Sequence, residues 1–240
     1  MEKKIHLHAF GFLTLFTFTT VQAQQTIFNV PSSDITPERK ALVQEQVEVQ
    51  DLLRSTTTFS YGLSRDWEIG LNLYNVDYET SRRRFIRNDT TTAMPFAPLL
   101  LVNAQKAVEL NETFRIGVGG QGGLNLGSGG RTKPVYYTYL NLAASLDEEH
   151  YKLAVGGYFG NPRFLSDGPR AGVQAGIDAG IIYQKLHLLA DWISGGHALG
   201  QLSAGIEVFP VRHFALALGW QRSNQDGSQG FIVQLTYIPM

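Results

Sequence analysis

The stretch Leu199–Gln221, LGQLSAGIEVFPVRHFALALGWQ, decides the fold. Leu202, Ala204, Ile206 and Val208 alternate with Gln201, Ser203, Gly205 and Glu207. After the turn-like PVRH, Phe214, Leu216, Leu218 and Trp220 alternate with Ala215, Ala217, Gly219 and Gln221. A period of two gives each strand one apolar face and one face of small or polar groups. Each run is about ten residues long, enough to cross a bilayer as a tilted strand. The small, polar face suits a wet lumen, so the hairpin reads as part of a membrane wall.

The rest of the composition agrees. The 240 residues include no cysteine, 25 glycines and 17% charged residues, below the roughly one quarter of soluble domains. The opening MEKKIHLHAFGFLTLFTFTTVQAQ sets Lys3 and Lys4 before an apolar run from Ala9 to Val21 and a small-residue site at Val21-Gln22-Ala23. That pattern predicts a secretory signal peptide over residues 1–23, and Gln24 is the expected mature N terminus. No cysteine follows the cleavage site, which argues against a lipid anchor, and export without disulfides leaves stability to other forces. A formal net charge of −1 offers no basic excess, so nucleic acid is not an expected partner. An exported chain without a long apolar run crosses a membrane only as a closed barrel, in which every backbone polar group is paired.

Outward from the hairpin the same alternation recurs. Residues 24–40 hold two prolines and a Ser-Ser-Asp cluster and read as an extended periplasmic lead-in, too short for a plug domain; the barrel is expected over 41–240. In the first strand Val43, Val47 and Val49 oppose Gln44, Gln46, Glu48 and Gln50. Glu45 breaks the apolar face and is expected at the aqueous rim. About 12 antiparallel strands follow, predicting an all-β, up-and-down transmembrane barrel. Leu99 to Val102 run together without alternation, which leaves the facing of that strand open. Connections are mostly short after even strands and long after odd ones, the asymmetry of outer-membrane barrels with periplasmic turns. The exceptions are a short first loop and a long Lys106–Glu112 turn. Trp192 and Trp220 are placed at the outer interface, with Trp67, Phe209, Phe214 and Tyr237 at the inner one.

Under this parity Glu48, Glu68, Arg115, Lys152, Asp178, Asp191 and Glu207 face the lumen. At the lipid midplane a base costs roughly 2–4 kcal/mol and an acid somewhat less. The acid excess suggests a lining that favours cations, while a set of salt bridges filling a narrow interior is equally consistent. Arg82, Arg83, Arg84 and Arg87 fall on a long polar loop, Asp77–Pro95, which reads either as a solvated loop or as a contact for anionic lipopolysaccharide or surface polymers. Ser194-Gly-Gly-His197 is read as a glycine-rich loop rather than a nucleophile and base. His187 and His213 have no sequence partner at metal-ligand spacing, so no metal or other cofactor is expected.

The lead-in TIFNVPSSDITPERK, the hairpin YGLSRDWEIGLNLYNV (Tyr61 to Val76) and LADWISGGHALG (Leu189 to Gly200) resemble porin-like outer-membrane β-barrel proteins of Gram-negative bacteria, of the Bacteroidota type. The resemblance implies residence among outer-membrane lipids, insertion by the barrel-assembly machinery and no catalytic residues. Outer-membrane lipid hydrolases of the same architecture use a His-x-Ser arrangement; here His213-Phe214-Ala215 has alanine in the serine position. Many such barrels end in Phe, whereas this chain ends Tyr237-Ile238-Pro239-Met240. The sequence therefore predicts a non-enzymatic narrow channel for small polar solutes or ions. A closed structural or surface-binding barrel acting through its outer loops is the alternative, and a lipid hydrolase a third.

Overall fold

The structure is a computed structural model that describes residues 26–89, 92–126, 133–147, 150–182 and 185–239. The expected signal peptide lies outside them. Two short strands, β1 (Thr26–Ile27) and β2 (Val30–Pro31), form a small hairpin. The wall begins with β3 (Ala41–Val49), β4 (Leu53–Gly62) and β5 (Trp67–Glu79), the last extending into a hairpin with β6 (Arg84–Ile86). It continues through β7 (Leu99–Glu109), β8 (Phe114–Asn125), β9 (Pro134–Leu146) and β10 (Tyr151–Gly160). A one-turn helix, α1 (Pro162–Leu165), separates β10 from β11 (Ala171–Ile182). The wall ends with β12 (Leu186–Ile193), β13 (Gln201–Val211), β14 (Phe214–Ser223) and β15 (Gln229–Tyr237). All neighbours are antiparallel, and β15 pairs with β3, from Phe231↔Val49 to Tyr237↔Val43. Twelve strands thus close on themselves.

Alternation fixes which side chains face out. Every wall strand presents exposed apolar residues: Val43, Phe59, Leu71, Val102, Val118 and Leu140 on one half, Val155, Val173, Leu188, Leu202, Leu218 and Leu235 on the other. In β7, Leu100 and Val102 point out while Leu99 and Leu101 are buried. Both faces are apolar there because the inner pair joins a core that includes Phe96, Phe164 and Leu165. This is why alternation could not be read in that strand. The expected long turn after it is only residues 110–113, since β7 continues to Glu109. Lys106 faces outward at its end, with Nζ 5.2 Å from the Trp67 ring centroid.

Phe209 departs from its expected place in an aromatic girdle. It shares the inward parity of Glu207 and meets the His187 ring edge-on at 5.1 Å. Glu45 also departs from its expected rim position. It lies mid-strand with the parity of Val43 and Val47, and accepts hydrogen bonds from Ser55 Oγ and Thr57 Oγ1, each at 2.5 Å. Two hydroxyls thus solvate a carboxylate on the apolar exterior.

The largest correction concerns the lead-in. Over its described part it does not trail into the periplasm but runs inside the barrel. Asn29 meets Asp191 and Ser203, Pro31 meets Asn141, Asp34 meets Gln105, Arg115 and Lys152, and Thr36 meets Glu68. These partners are inward side chains from strands around most of the circumference, so only a segment in the lumen reaches them all. Ile27, Phe28 and Val30 are almost wholly buried. The wall beneath them is made of small residues: a Cβ at Gly219 would stand 2.6 Å from Phe28 Cζ, and one at Gly176 3.0 Å from Ile27 Cδ1. The small face that reads as wet lumen is here the bed of the N-terminal segment. Brevity ruled out an independently folded plug domain, but a segment needs no core of its own when the barrel supplies one.

Replacing Ser55 with Ala and Thr57 with Val leaves the Glu45 carboxylate without its two hydroxyl partners, at an expected cost of about 2 kcal/mol. Urea unfolding in detergent should show the lowered midpoint, and adding Glu45→Leu should restore it.

Candidate functional site

The inward charges are mostly spent on holding the N-terminal segment. Asp191 Oδ2 accepts from the backbone N–H groups of Asn29 at 2.6 Å and Val30 at 2.9 Å. Glu68 accepts from the Thr36 N–H at 2.8 Å. Arg115 and Lys152 converge on one carboxylate, with Arg115 Nη1 2.8 Å from Asp34 Oδ1 and Lys152 Nζ 3.0 Å from Asp34 Oδ2. Burying these charges singly would be costly, and pairing them with the segment's backbone and Asp34 offsets that cost. Glu48 accepts from Gln46 and Gln221, both at 3.3 Å. Asp178 pairs with His187 at 2.6 Å, and Glu207 is fully buried nearby. All seven residues face inward, but they do not form one continuous charged lining.

Several residues of the site went unnoticed in the sequence. A relay runs from Tyr137 Oη to Gln174 Oε1 (2.9 Å), from Gln174 Nε2 to Asn141 Oδ1 (2.7 Å), and from Asn141 Nδ2 to Pro31 O (2.8 Å). Tyr139 donates to Gln105, which in turn donates to Asp34 O. The signal was present: Tyr137, Tyr139 and Asn141 alternate with the outward Tyr136, Thr138 and Leu140. Arg54 and Asp77, also inward, form a two-point ion pair at 2.8 and 3.2 Å.

Beside the N-terminal segment, against β3 to β5 and β7 to β9, lies a cavity of about 160 Å³. Amides and hydroxyls line it, among them Gln44, Gln46, Thr56, Thr58, Ser60, Asn72, Asn103 and Gln121, with Glu48 and Glu68. Tyr74, Tyr137, Tyr139 and Phe164 form an aromatic side. Phe164 is carried there by α1, whose N-cap Asn161 accepts from the Phe164 N–H. The ring stacks on Tyr74 at 5.1 Å and lies 5.2 Å from Tyr137. The β10–β11 connection, expected as an outer loop, therefore folds back over the mouth.

The next connection does the same. His197 is fully buried, with Nε2 2.6 Å from Tyr158 Oη. Tyr158 donates its single hydroxyl proton to Ser194 O, so His197 carries its own proton on Nε2. Burial holds this imidazole below its usual pKa. Ser194 Oγ accepts from the Val173 N–H at 2.8 Å. His197 therefore faces Tyr158 and leaves Ser194 Oγ to the backbone, which is no nucleophile–base geometry. His213 stacks on Tyr237 with centroids 5.9 Å apart.

The arginine cluster stands on the β5–β6 hairpin rather than on an irregular loop. Arg84 and Arg82 bind Glu79 at 2.9 and 3.3 Å, and their hold keeps its carboxyl below the usual range. Arg83 is exposed at the hairpin tip.

No protein-family model and no curated protein sequence matches the chain. Among solved structures, it is similar to a KdgM porin in complex with disordered oligogalacturonate: TM-score 0.57, 12% identity, 83% of this chain and 99% of that chain. It is similar to the NanC porin at TM-score 0.55 and 9% identity, over 84% and 100% of the two chains. Outer membrane phospholipase A from Escherichia coli gives TM-score 0.50 and 10% identity, over 91% and 95%. Identities this low show a shared fold: a closed, porin-like antiparallel barrel.

Asp191→Ala removes two charge-assisted bonds from the docked segment, at an expected cost of about 3 kcal/mol. Hydrogen exchange at the Asn29 and Val30 amides should accelerate by roughly a hundredfold while the wall amides stay protected.

Proposed function

We propose that the chain is an outer-membrane channel for small, uncharged polar solutes, and that its own residues 26–37 occlude the lumen. The cavity beside the segment carries this reading. Its lining of amides, hydroxyls and phenols matches the donors and acceptors of a polyhydroxylated solute, and its aromatic side suits the apolar face of a sugar-like ring. The apolar belt and the porin-like fold support residence in the outer membrane. The expected preference for cations gives way to a neutral one, because most of the acids are already engaged. Galacturonate-type chains, named with the KdgM porin, are polyanions; here Arg115 and Lys152 are committed to Asp34, so such a ligand is disfavoured.

Because the segment docks through a small set of polar contacts and three apolar side chains, its withdrawal opens the passage. The exposed arginine hairpin fits contact with anionic lipopolysaccharide, and β15 is the segment offered to the assembly machinery. The closed structural barrel remains the second reading, favoured by the core that Phe28, Phe96 and Phe164 build in the lumen.

Planar-bilayer recordings separate the two. Deleting residues 26–37 from the refolded barrel should raise single-channel conductance several-fold. In vesicles, the deletion should admit neutral sugars faster than charged solutes of equal size. Folded barrels that carry no current with or without the segment would establish the closed reading instead.

A further inference from the structure

We propose that Asp178, His187 and Glu207 form a binding site for a divalent transition-metal ion of the zinc class. The three residues come from β11, β12 and β13. The register sets His187 directly opposite Glu207 and next to Asp178 along the same inner face. One donor atom from each lies within 4.8 Å of the others. Three ligands at about 2.0–2.2 Å from a common ion stand roughly 3.3–3.8 Å apart, so side-chain rotations of up to about 1.5 Å close the site.

The unsatisfied atoms point to a ligand. Glu207 is fully buried, and neither of its carboxylate oxygens has a hydrogen-bond partner. His187 is 6% exposed, and its Nε2 is likewise unpartnered. Buried polar atoms are almost always satisfied, and here three orphans belong to two residues that face each other across neighbouring strands. Their chemistry is complementary to a cation. The His187 Nδ1–H donates to Asp178 Oδ1 at 2.6 Å, which leaves the lone pair of Nε2 free. Fixing a ligand imidazole through its second nitrogen to a carboxylate is the usual support of a metal-bound histidine. Asp178 thus sets the tautomer and lies within reach as a further donor.

The surroundings suit an ion of charge two. Lys152, in register with Asp178 on β10, pairs its ammonium with Asp34 at 3.0 Å and also acts electrostatically on Glu207, so the two carboxylates of the site share one cation that is already paired elsewhere. Gly180 stands opposite His187, where a Cβ would lie 3.4 Å from Nε2, so that approach is clear. Ala217 opposite Glu207 leaves room on the other side, and Phe209 covers the imidazole. One nitrogen and two carboxylates favour zinc-class ions over calcium, which takes six to eight oxygens. Sequence spacing hides this site because its residues are 9 and 20 positions apart and meet only through strand pairing. The site stands whether or not the barrel conducts.

The test uses the refolded mature barrel, stripped with a chelator and titrated with Zn²⁺ by calorimetry and with Co²⁺ by visible absorption. One ion should bind per barrel, with Co²⁺ ligand-field bands. His187→Gln and Glu207→Gln should weaken binding by more than about a hundredfold, and Asp178→Asn by roughly ten- to a hundredfold. Heat-modifiable migration in gels verifies that each variant is folded. If a variant does not refold, the Zn²⁺-dependent shift of the His187 Nε2 resonance in the wild-type barrel reads the same contact. A folded wild type with no stoichiometric binding, binding unchanged in both glutamine variants, or an unmoved His187 resonance overturns the proposal.

Discussion

The pairing of β15 with β3 is the constraint on which the rest of the structure depends. Against lipid, an unpaired strand edge leaves a row of N–H and C=O groups unsatisfied at several kcal/mol each, so the sheet has to close. Closure from Phe231↔Val49 to Tyr237↔Val43 removes both edges at once. It also removes freedom of facing, because a slip of one residue would invert a whole strand. Once Leu235 and Val43 point to lipid, Gln234, Thr236, Gln44 and Gln46 must point inward. The exterior is then mainly apolar, with the hydroxyl-bound Glu45 carboxylate as an exception, and most of the chemical individuality of the protein lies inside.

The interior solves a different problem. A 12-stranded wall encloses more space than its inward glycines and alanines fill, and it carries charges that need partners. Residues 26–37 meet both needs. Phe28 and Ile27 settle on Gly205, Gly219 and Gly176, while backbone N–H groups satisfy Asp191 and Glu68. Asp34 bridges Arg115 and Lys152, and Glu109 supplies the second carboxylate to Arg115. Towards β3–β5 and β7–β9 the segment's contacts are polar, and amides and hydroxyls there border a cavity that the segment itself helps to line. The asymmetry between a bedded side and a polar side makes a channel with an internal obstruction the better reading than a uniformly packed barrel.

The wall was legible in the sequence because period-two alternation is a local property, and lipid enforces it strand by strand. Leu202 to Val208 and Phe214 to Trp220 could be assigned faces without reference to any other residue. The interior was not legible in that way. Gly205 and Gly219 carry the same signal whether water or a phenyl ring lies over them. Asp191 reads as a lumen acid in either case, and its real partners lie more than 160 residues away in sequence. The meeting of His187 with Asp178 and Glu207 is equally non-local. Proline and serine in TIFNVPSSDITPERK indicate an extended segment, which is correct, but an extended chain leaves no trace of whether it runs outside a barrel or through it.

The location of that segment is the central claim, and a cross-link tests it most directly. The chain has no cysteine, so Asn29→Cys with Ser203→Cys introduces a single pair of thiols, at side chains that lie 3.2 Å apart. A short bifunctional thiol cross-linker should join the two nearly quantitatively within one chain of the folded barrel, with a control pair of Asn29→Cys and the outward Leu202→Cys left unjoined. Failure of the two thiols introduced at Asn29 and Ser203 to join in a folded barrel would place the segment outside the lumen and contradict the account.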